Sequence, residues 1–578
     1  MTRRPGRAVP PANPARAAGR RATAGPGAGG SGTGGPDAAG PGTEGPAVPP
    51  PAVVAPAVVP PAAAGLAPDA GLPAGTVVRL DPGTQRMTSD VLFGGSPPRV
   101  LRLSPAGQRA LAELEAGPVA SAAAAALGRR LTDANLAHPV LPSPSAPPAS
   151  PGPGLDVTVL DVTVLIPVRD RTPELRRCLA AAGTAYPVLV VDDGSADPDA
   201  VRAVARAAGA RLIRRPASGG PGAARNTGLA AVASEFVAFL DSDCEPPPGW
   251  IDGLASHFAD PLVAAVAPRV VAAPGTGPTL DQGGQPARVA PLTRVSYVPT
   301  AALVARRSAL GGGFDEALRY GEDVDLVWRL TGAGWRVRYE PAVEVHHAAT
   351  GSLTGILHRR FRYGTSAAPL ARRHPGALTP LILQPWPTLT MTALLARRPA
   401  AAAGSFTLSA VLLRRRLQAA GLPARGLAKP MAVGVVQTWL GTGRWCGQFG
   451  WPVLAAVIAR PGGRTARARW GRRLAAASLL AGPPLAEATA LSGDGTQRLA
   501  AAARVLADQA AYGAGVYAGC LRERTTAPLR PTVAWQPVAG LRRTPPGKPP
   551  ADPPPKPLAH PQAVRPAQSA DPPAQPPG

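Results

Sequence analysis

The sequence predicts an α/β protein built on a mostly parallel sheet. Three observations carry this. Short apolar runs alternate with helical stretches between residues 161 and 243, the signature of right-handed βαβ units. Carboxylates stand directly after two of those runs, where open α/β sheets bind ligands. Pro-rich, weakly apolar segments lie outside this stretch and cannot be packed core.

In order along the chain, residues 1–74 are Pro/Ala/Gly-rich and read as disordered low-complexity sequence. Residues 75–137 form a small α+β module. "TVVRL" and "RVLRL" are short strands, and Ser104 and Pro105 cap a helix whose apolar face includes Leu111 and Leu114. A second helix is expected over about 118–131. A Pro/Ser linker spans 138–154. In the main domain, 155–350, "DVTVL" occurs twice, and the second copy is the core strand because it runs into Ile166-Pro167-Val168. "YPVLVVDDGS", "ARLIRR" and "EFVAFLDSD" supply further strands, with helices at 172–182, in "VRAVARAAG" and in "GAARNTGLAAVA". A basic, apolar, mostly helical region follows over 351–527, then a Pro-rich tail from 528.

Composition narrows the function. The chain has 578 residues with 66 Gly and 74 Pro, and its four Cys form no CxxC or Cys/His cluster, which disfavours a zinc or iron–sulfur scaffold. No apolar run follows Arg3, Arg4 and Arg7, so no secretory signal is expected and the chain is placed in the cytoplasm. The net charge of +25 invites a nucleic-acid reading until its distribution is considered. Residues 155–350 hold 19 Arg, no Lys and 22 acids, whereas the flanks hold 42 Lys/Arg against 14 acids. Residues 351–486 contain 19 Lys/Arg and no acid. An acidic catalytic segment beside a basic docking surface is expected, with no nucleic-acid partner.

The acids carry the chemistry. Asp192-Asp193 follow "VLVV", and Asp241-Ser242-Asp243 follow "EFVAFL". Carboxylates at i and i+2 in an extended segment can each reach a divalent cation, and hard oxygen donors suit Mg²⁺ or Mn²⁺. "SGGPGAARNTG" places glycines before a helix that carries Arg225; it reads either as a turn or as a phosphate-receiving helix start. Glu322, Asp323 and Asp325 open an amphipathic helix, as helix-capping acids or as a general base at a cleft rim. A carboxylate at a helix N-terminus is expected to keep a low pKa. Asp325 lies about 200° round the helix from Asp323, so only one of them can face a given substrate.

The series "VLIPVRDR", "VLVVDDGSAD", "GGPGAARNTGLA", "FLDSDCEP", "GGFDEALRYGEDVDLVWRL" and "VEVHH" resembles the family 2 glycosyltransferases. The resemblance covers about 190 residues. It implies the GT-A fold, with a Rossmann-like sheet, and inverting, metal-dependent transfer of a sugar from a nucleotide-sugar donor. It implies that Pro167, Arg169, Asp192, Asp193, Arg225, Asp241 and Ser242 bind the nucleotide sugar. Asp241 and Asp243, with His346 and His347, would serve the Mg²⁺ or Mn²⁺ ion. Asp323 would be the base, with Glu322 beside it. No QxxRW follows residue 340, which disfavours a processive synthase.

A narrower resemblance rests on the 77–111 segment and on "RRFRYGTSAAPLARRHPG". Both are similar to the mycofactocin-system glycosyltransferases of actinobacteria. That implies UDP-glucose as donor, a β-linked hexose, and a peptide-derived redox cofactor as acceptor, with peptide-maturation enzymes as partners. The 75–137 module also resembles small peptide-recognition domains of such pathways. The alternative acceptor is a lipid or cell-wall glycan. The Arg-flanked apolar runs after 376 are too short or too Pro-rich to span a bilayer, which needs roughly 20 apolar residues. They suit the inner face of the cell membrane instead.

Overall fold

The computed structural model describes residues 70–140, 160–272, 280–348, 352–461, 465–489 and 494–534. The low-complexity readings for 1–69 and 535–578, the linker at 141–154 and most of the first "DVTVL" lie outside the described residues.

The N-terminal module contains β1 (Val77–Leu80), β2 (Gln85–Thr88), β3 (Val91–Gly94), β4 (Arg99–Arg102), α1 (Pro105–Ala116), α2 (Ala122–Asp133) and β5 (Ala137–Val140). Strands β2, β3 and β4 form an antiparallel meander, and β5 pairs with β1. The Ser104 hydroxyl caps α1 by accepting from Gly107 N at 3.1 Å. Two features depart from the sequence reading. Strands β2 and β3 fill the interval between "TVVRL" and "RVLRL", and the supposed linker starts as a strand. Pro139 disguises that strand, yet a two-stranded ladder leaves an edge on which its missing N–H is tolerated. Leu92, Leu111, Leu114, Leu131 and Leu136 form the module's own core.

In the main domain β6 (Val162–Val168), α3 (Thr172–Ala182), β7 (Val188–Asp192), α4 (Pro198–Ala207), β8 (Arg211–Arg214), α5 (Pro221–Ala231) and β9 (Phe236–Leu240) alternate as expected. Then come β10 (Cys244–Glu245), α6 (Asp252–Ala255), β11 (Val263–Ala272), β12 (Ala287–Val289), β13 (Ala302–Arg306), α7 (Glu322–Gly332) and β14 (Arg336–His347). The nine-stranded sheet runs β10-β14-β11-β13-β9-β6-β7-β8, with β12 against β14. Strands β8, β7, β6 and β9 are mutually parallel, and β13 is antiparallel to its neighbours. Period-2 alternation builds a core on each face. Val164 and Ile166 point to one and Leu165 to the other.

The C-terminal region is helical. Its first helices, α8 (Leu353–Thr365) and α9 (Ala367–Arg373), lean on α7 and on α15 (Gly495–Glu523). Between α9 and α15 lie α10 (Pro385–Leu395), α11 (Pro399–Ala419), α12 (Ala428–Trp445), α13 (Trp451–Ala459) and α14 (Ala466–Thr489). A Cβ on Gly364 would stand 2.2 Å from Tyr512 O, so only glycine lets α8 and α15 approach this closely. No described helix is long and apolar enough to cross a membrane.

Candidate active site

Because β6, β7 and β9 are parallel, their carboxyl ends share one edge of the sheet. That edge gathers half-buried Pro167, exposed Arg169, Asp192, Asp193, Asp241, Ser242 and Asp243 from distant points in the chain. Asp192 is fully buried and accepts from Ser195 N (2.9 Å) and Arg214 Nη1 (2.5 Å). Asp193 accepts from Arg215 Nη1 (2.7 Å), Ser218 Oγ (2.7 Å), Gly219 N (3.0 Å) and Gly220 N (2.9 Å). The glycine-rich turn read as a phosphate receiver therefore spends its N–H groups on an internal carboxylate, because β7 ends within reach of the start of α5. Arg169 reaches over this turn to Ser218 Oγ at 3.1 Å.

Arg225 is the buried hub. Its Nη1 donates to Glu322 Oε1 at 2.9 Å and its Nη2 to Asp241 Oδ1 at 2.7 Å, while Phe314 covers it at 5.4 Å from the ring centre. Helix α5 thus ties the end of β9 to the start of α7. Gly321 makes that start possible. It holds φ 78°, and its pro-Cβ direction points at Ser366 Oγ and Leu370 Cδ1, each 3.0 Å away, so α8 and α9 close over the acids.

Three acids within one helical turn meet three different fates. Asp325 is buried and accepts from Arg329 Nε (2.7 Å) and pairs with His374 Nε2 (2.8 Å). Burial pushes its pKa up, but these two partners prevail and hold it below the ordinary value. Glu322 is buried against Arg225; desolvation outweighs that guanidinium and raises its pKa. Asp323, bonded only to Val324 N (2.8 Å), has its pKa pushed up to about 7, first by desolvation and then by the charge of Glu322. This corrects the expectation of a low value: crowding by α8 and a neighbouring carboxylate overwhelm the helix dipole.

At the end of β9, Asp243 pairs with Arg171 and lies 3.4 Å from His347 Nε2. Burial raises the Asp243 pKa, whereas His347 and Arg171 lower it further, so the carboxylate stays ionised. His347 is buried, and its Nδ1 has no hydrogen-bond partner. Asp243, Cys244 and His347 offer ligand atoms within 4.8 Å of one another. The donors fit a divalent cation through the carboxylate and the imidazole. Cys244 is a weaker donor, since desolvation keeps its thiol protonated. His346, expected beside His347, is instead exposed on the other face of β14, opposite Glu245, because adjacent strand residues alternate.

Sequence reasoning missed Arg171, Cys244 and the α8 face. Tyr320, next to Gly321, meets Tyr363 of α8 edge-on at 6.2 Å. Only the aromatic content of "RRFRYGTS" hinted at a substrate-facing helix.

Carboxylate and imidazole groups thus gather at the end of β9, beside buried Arg225 and a carboxyl of raised pKa. Comparison with known proteins gives this site its family. Residues 163–297 match Glycosyl transferase family 2. The chain is 38% identical over 495 residues to the pre-mycofactocin glycosyltransferase of Mycobacterium tuberculosis, covering 80% of this chain and 98% of that one. It is 31% identical over 253 residues to the N-acetylglucosaminyl-diphospho-decaprenol L-rhamnosyltransferase of the same species, covering 35% of this chain and 82% of that one. A solved mannosyltransferase from Pyrobaculum calidifontis, in complex with GDP-Man and Mn²⁺, aligns at 21% identity over 56% of this chain and 87% of that one, with a TM-score of 0.32. The chain belongs to glycosyl transferase family 2 and is a glycosyltransferase with a GT-A catalytic domain.

Proposed function

We propose that the cleft moves a hexose, glucose in β linkage, from UDP-glucose to a peptide-derived redox cofactor with inversion. The convergence of Asp241, Glu322 and Asp323 on Arg225 carries this reading. Asp323 takes the proton of the acceptor hydroxyl as its oxygen attacks the anomeric carbon. The carbon–oxygen bond to the diphosphate breaks, and its electron pair leaves with the diphosphate. Arg225 holds Glu322 and Asp241 in ion pairs and so fixes the geometry around Asp323. Asp243 and His347, with Asp241 nearby, would hold Mg²⁺ or Mn²⁺, whose charge neutralises the departing diphosphate.

The nucleotide is read as lying along Pro167, Arg169, the Asp192-Asp193 turn and Ser242. A direct contact with Asp193 would replace one of its internal donors. Tyr320 and Tyr363 supply an apolar wall on the acceptor side, where rings stack on sugars and other flat groups. The acceptor reading is supported by the long similarity to a protein named for pre-mycofactocin. Exposed Leu389, Leu394, Leu408, Val433, Val453 and Leu474, near Arg397-Arg398 and Arg414 to Arg416, suit docking on an anionic membrane surface.

The test is transfer itself. Purified protein with UDP-glucose, Mn²⁺ and the mature redox-cofactor peptide should give a hexose mass increment on that peptide. D243N should cut the rate by about 10²-fold or more and bind Mn²⁺ more weakly. Unchanged turnover in D243N or in excess chelator removes the metal from the reading. Glucosylation of a polyprenyl-linked acceptor alone would replace the peptide with a lipid.

A further inference from the structure

The seam between the N-terminal module and the catalytic sheet has chemistry of its own. Arg336 and Arg338 leave one face of β14, with core residue Val337 between them, and Arg288 stands directly opposite Arg338 in the ladder. The module lays α2 and β4 over this face, bringing Arg129, Arg130, Asp133 and Arg99. The two carboxylates present are already engaged. Asp260 accepts from Arg129 Nη1 (2.6 Å) and Nη2 (2.8 Å), and Asp133 accepts from Arg336 Nη2 (2.8 Å) and lies 3.6 Å from Arg288 Nε.

Positive charge is left over. Arg338 is 2% exposed, and among the described residues its Nε and Nη1 and the Nε of Arg288 have no hydrogen-bond partner. Burial pushes the Arg338 pKa down to about 10, against the opposing charges of Asp133 and Asp260. A cavity of about 480 Å³ opens beside Arg288, lined also by Arg99, Arg129, Arg130, Asp133 and Leu136; Arg338, opposite Arg288 in the ladder, is not part of its lining. That volume falls in the range of ligand pockets, roughly 300–1,000 Å³. Arg338 and His347 are nine residues apart on one strand, roughly 30 Å at strand rise, so this is not the catalytic cleft.

We propose that this seam cavity is an oxyanion-binding site, which takes a carboxylate or phosphate group of a ligand held jointly by the module and the catalytic domain. The guanidinium fork matches both anions in the same bidentate way. Acidic side chains of a peptide and free phosphate are the two sources of that chemistry. The inference concerns binding alone and stands apart from the transfer reading.

Calorimetry on the full chain tests it, with sodium phosphate and an acetylated tetraglutamate peptide as probes. R99A/R130A removes two rim charges that carry no buried ion pair, and R109A on the exposed side of α1 is the control. At least one probe should bind saturably, about tenfold or more weaker in R99A/R130A and unchanged in R109A. Binding of the peptide alone assigns the carboxylate source, and binding of phosphate alone assigns the ion. Absence of saturable binding by either probe, or equal affinity in R99A/R130A and R109A, overturns the proposal.

Discussion

The catalytic edge and the module seam both bury charge without balancing it, and they do so with opposite sign. At the edge, Asp241, Asp243, Glu322 and Asp323 face Arg225 and Arg171. At the seam, arginines outnumber Asp133 and Asp260. Other ion pairs close one to one, as Arg444 does with Glu487. The difference teaches that a surplus survives where a ligand can supply the missing charge. A folded chain gains little by keeping such a surplus otherwise.

The largest effect should come from the acid with the perturbed pKa. D323N is expected to lower turnover by roughly 10²–10⁴-fold with donor affinity nearly unchanged, as steady-state kinetics would report. D325N should instead act on the fold, since Arg329 and His374 lose their shared partner. Should D325N abolish turnover in a folded protein while D323N leaves it intact, the roles of the two acids are reversed.

The seam can be broken in the same way. R129M leaves Asp260 buried and unpaired, and urea denaturation should show a loss of roughly 3–5 kcal/mol. R129M/D260L should recover part of it. A loss confined to R129M would mean that the cost is the orphaned Asp260 and that contact area holds the module, whereas an equal loss in R129M/D260L would mean that the ion pair holds it.

A pH profile sharpens the edge. With Asp323 near 7, turnover should rise about tenfold per pH unit below that value and level off above it, and D323N should flatten the profile. Stability runs the other way. The folded-state pKa is raised, so the stabilising contribution is complete below about 4 and is lost as pH rises through about 7. D323N should therefore melt above wild type at pH 8. The smallest expected effect is that of Y363A, an increase in acceptor KM of about 2- to 10-fold with donor hydrolysis unchanged.

Much of this was legible in the sequence. The alternation between 161 and 243 placed the strands, and the acids at the ends of β7 and β9 located the carboxyl edge of the sheet, because period and turn chemistry are local. His346 was misjudged since two adjacent histidines look alike until a strand assigns them to opposite faces. The glycine-rich segment could be read as a turn or as a phosphate-receiving helix start, because nothing local shows that Asp193 accepts from its N–H groups.

What the sequence determined by itself, then, was the βαβ order, the family motifs and the division into an acidic middle and basic flanks. Each rests on neighbours within a few residues or on composition. The tertiary structure alone decided that Arg225 reaches Glu322 across 97 positions while it holds Asp241, that the Asp323 pKa is pushed up to about 7, and that Arg338 is buried with two of its nitrogens unbonded among the described residues. Those are properties of distance and desolvation. Both depend on which distant segments pack together, and no local pattern of residues encodes that.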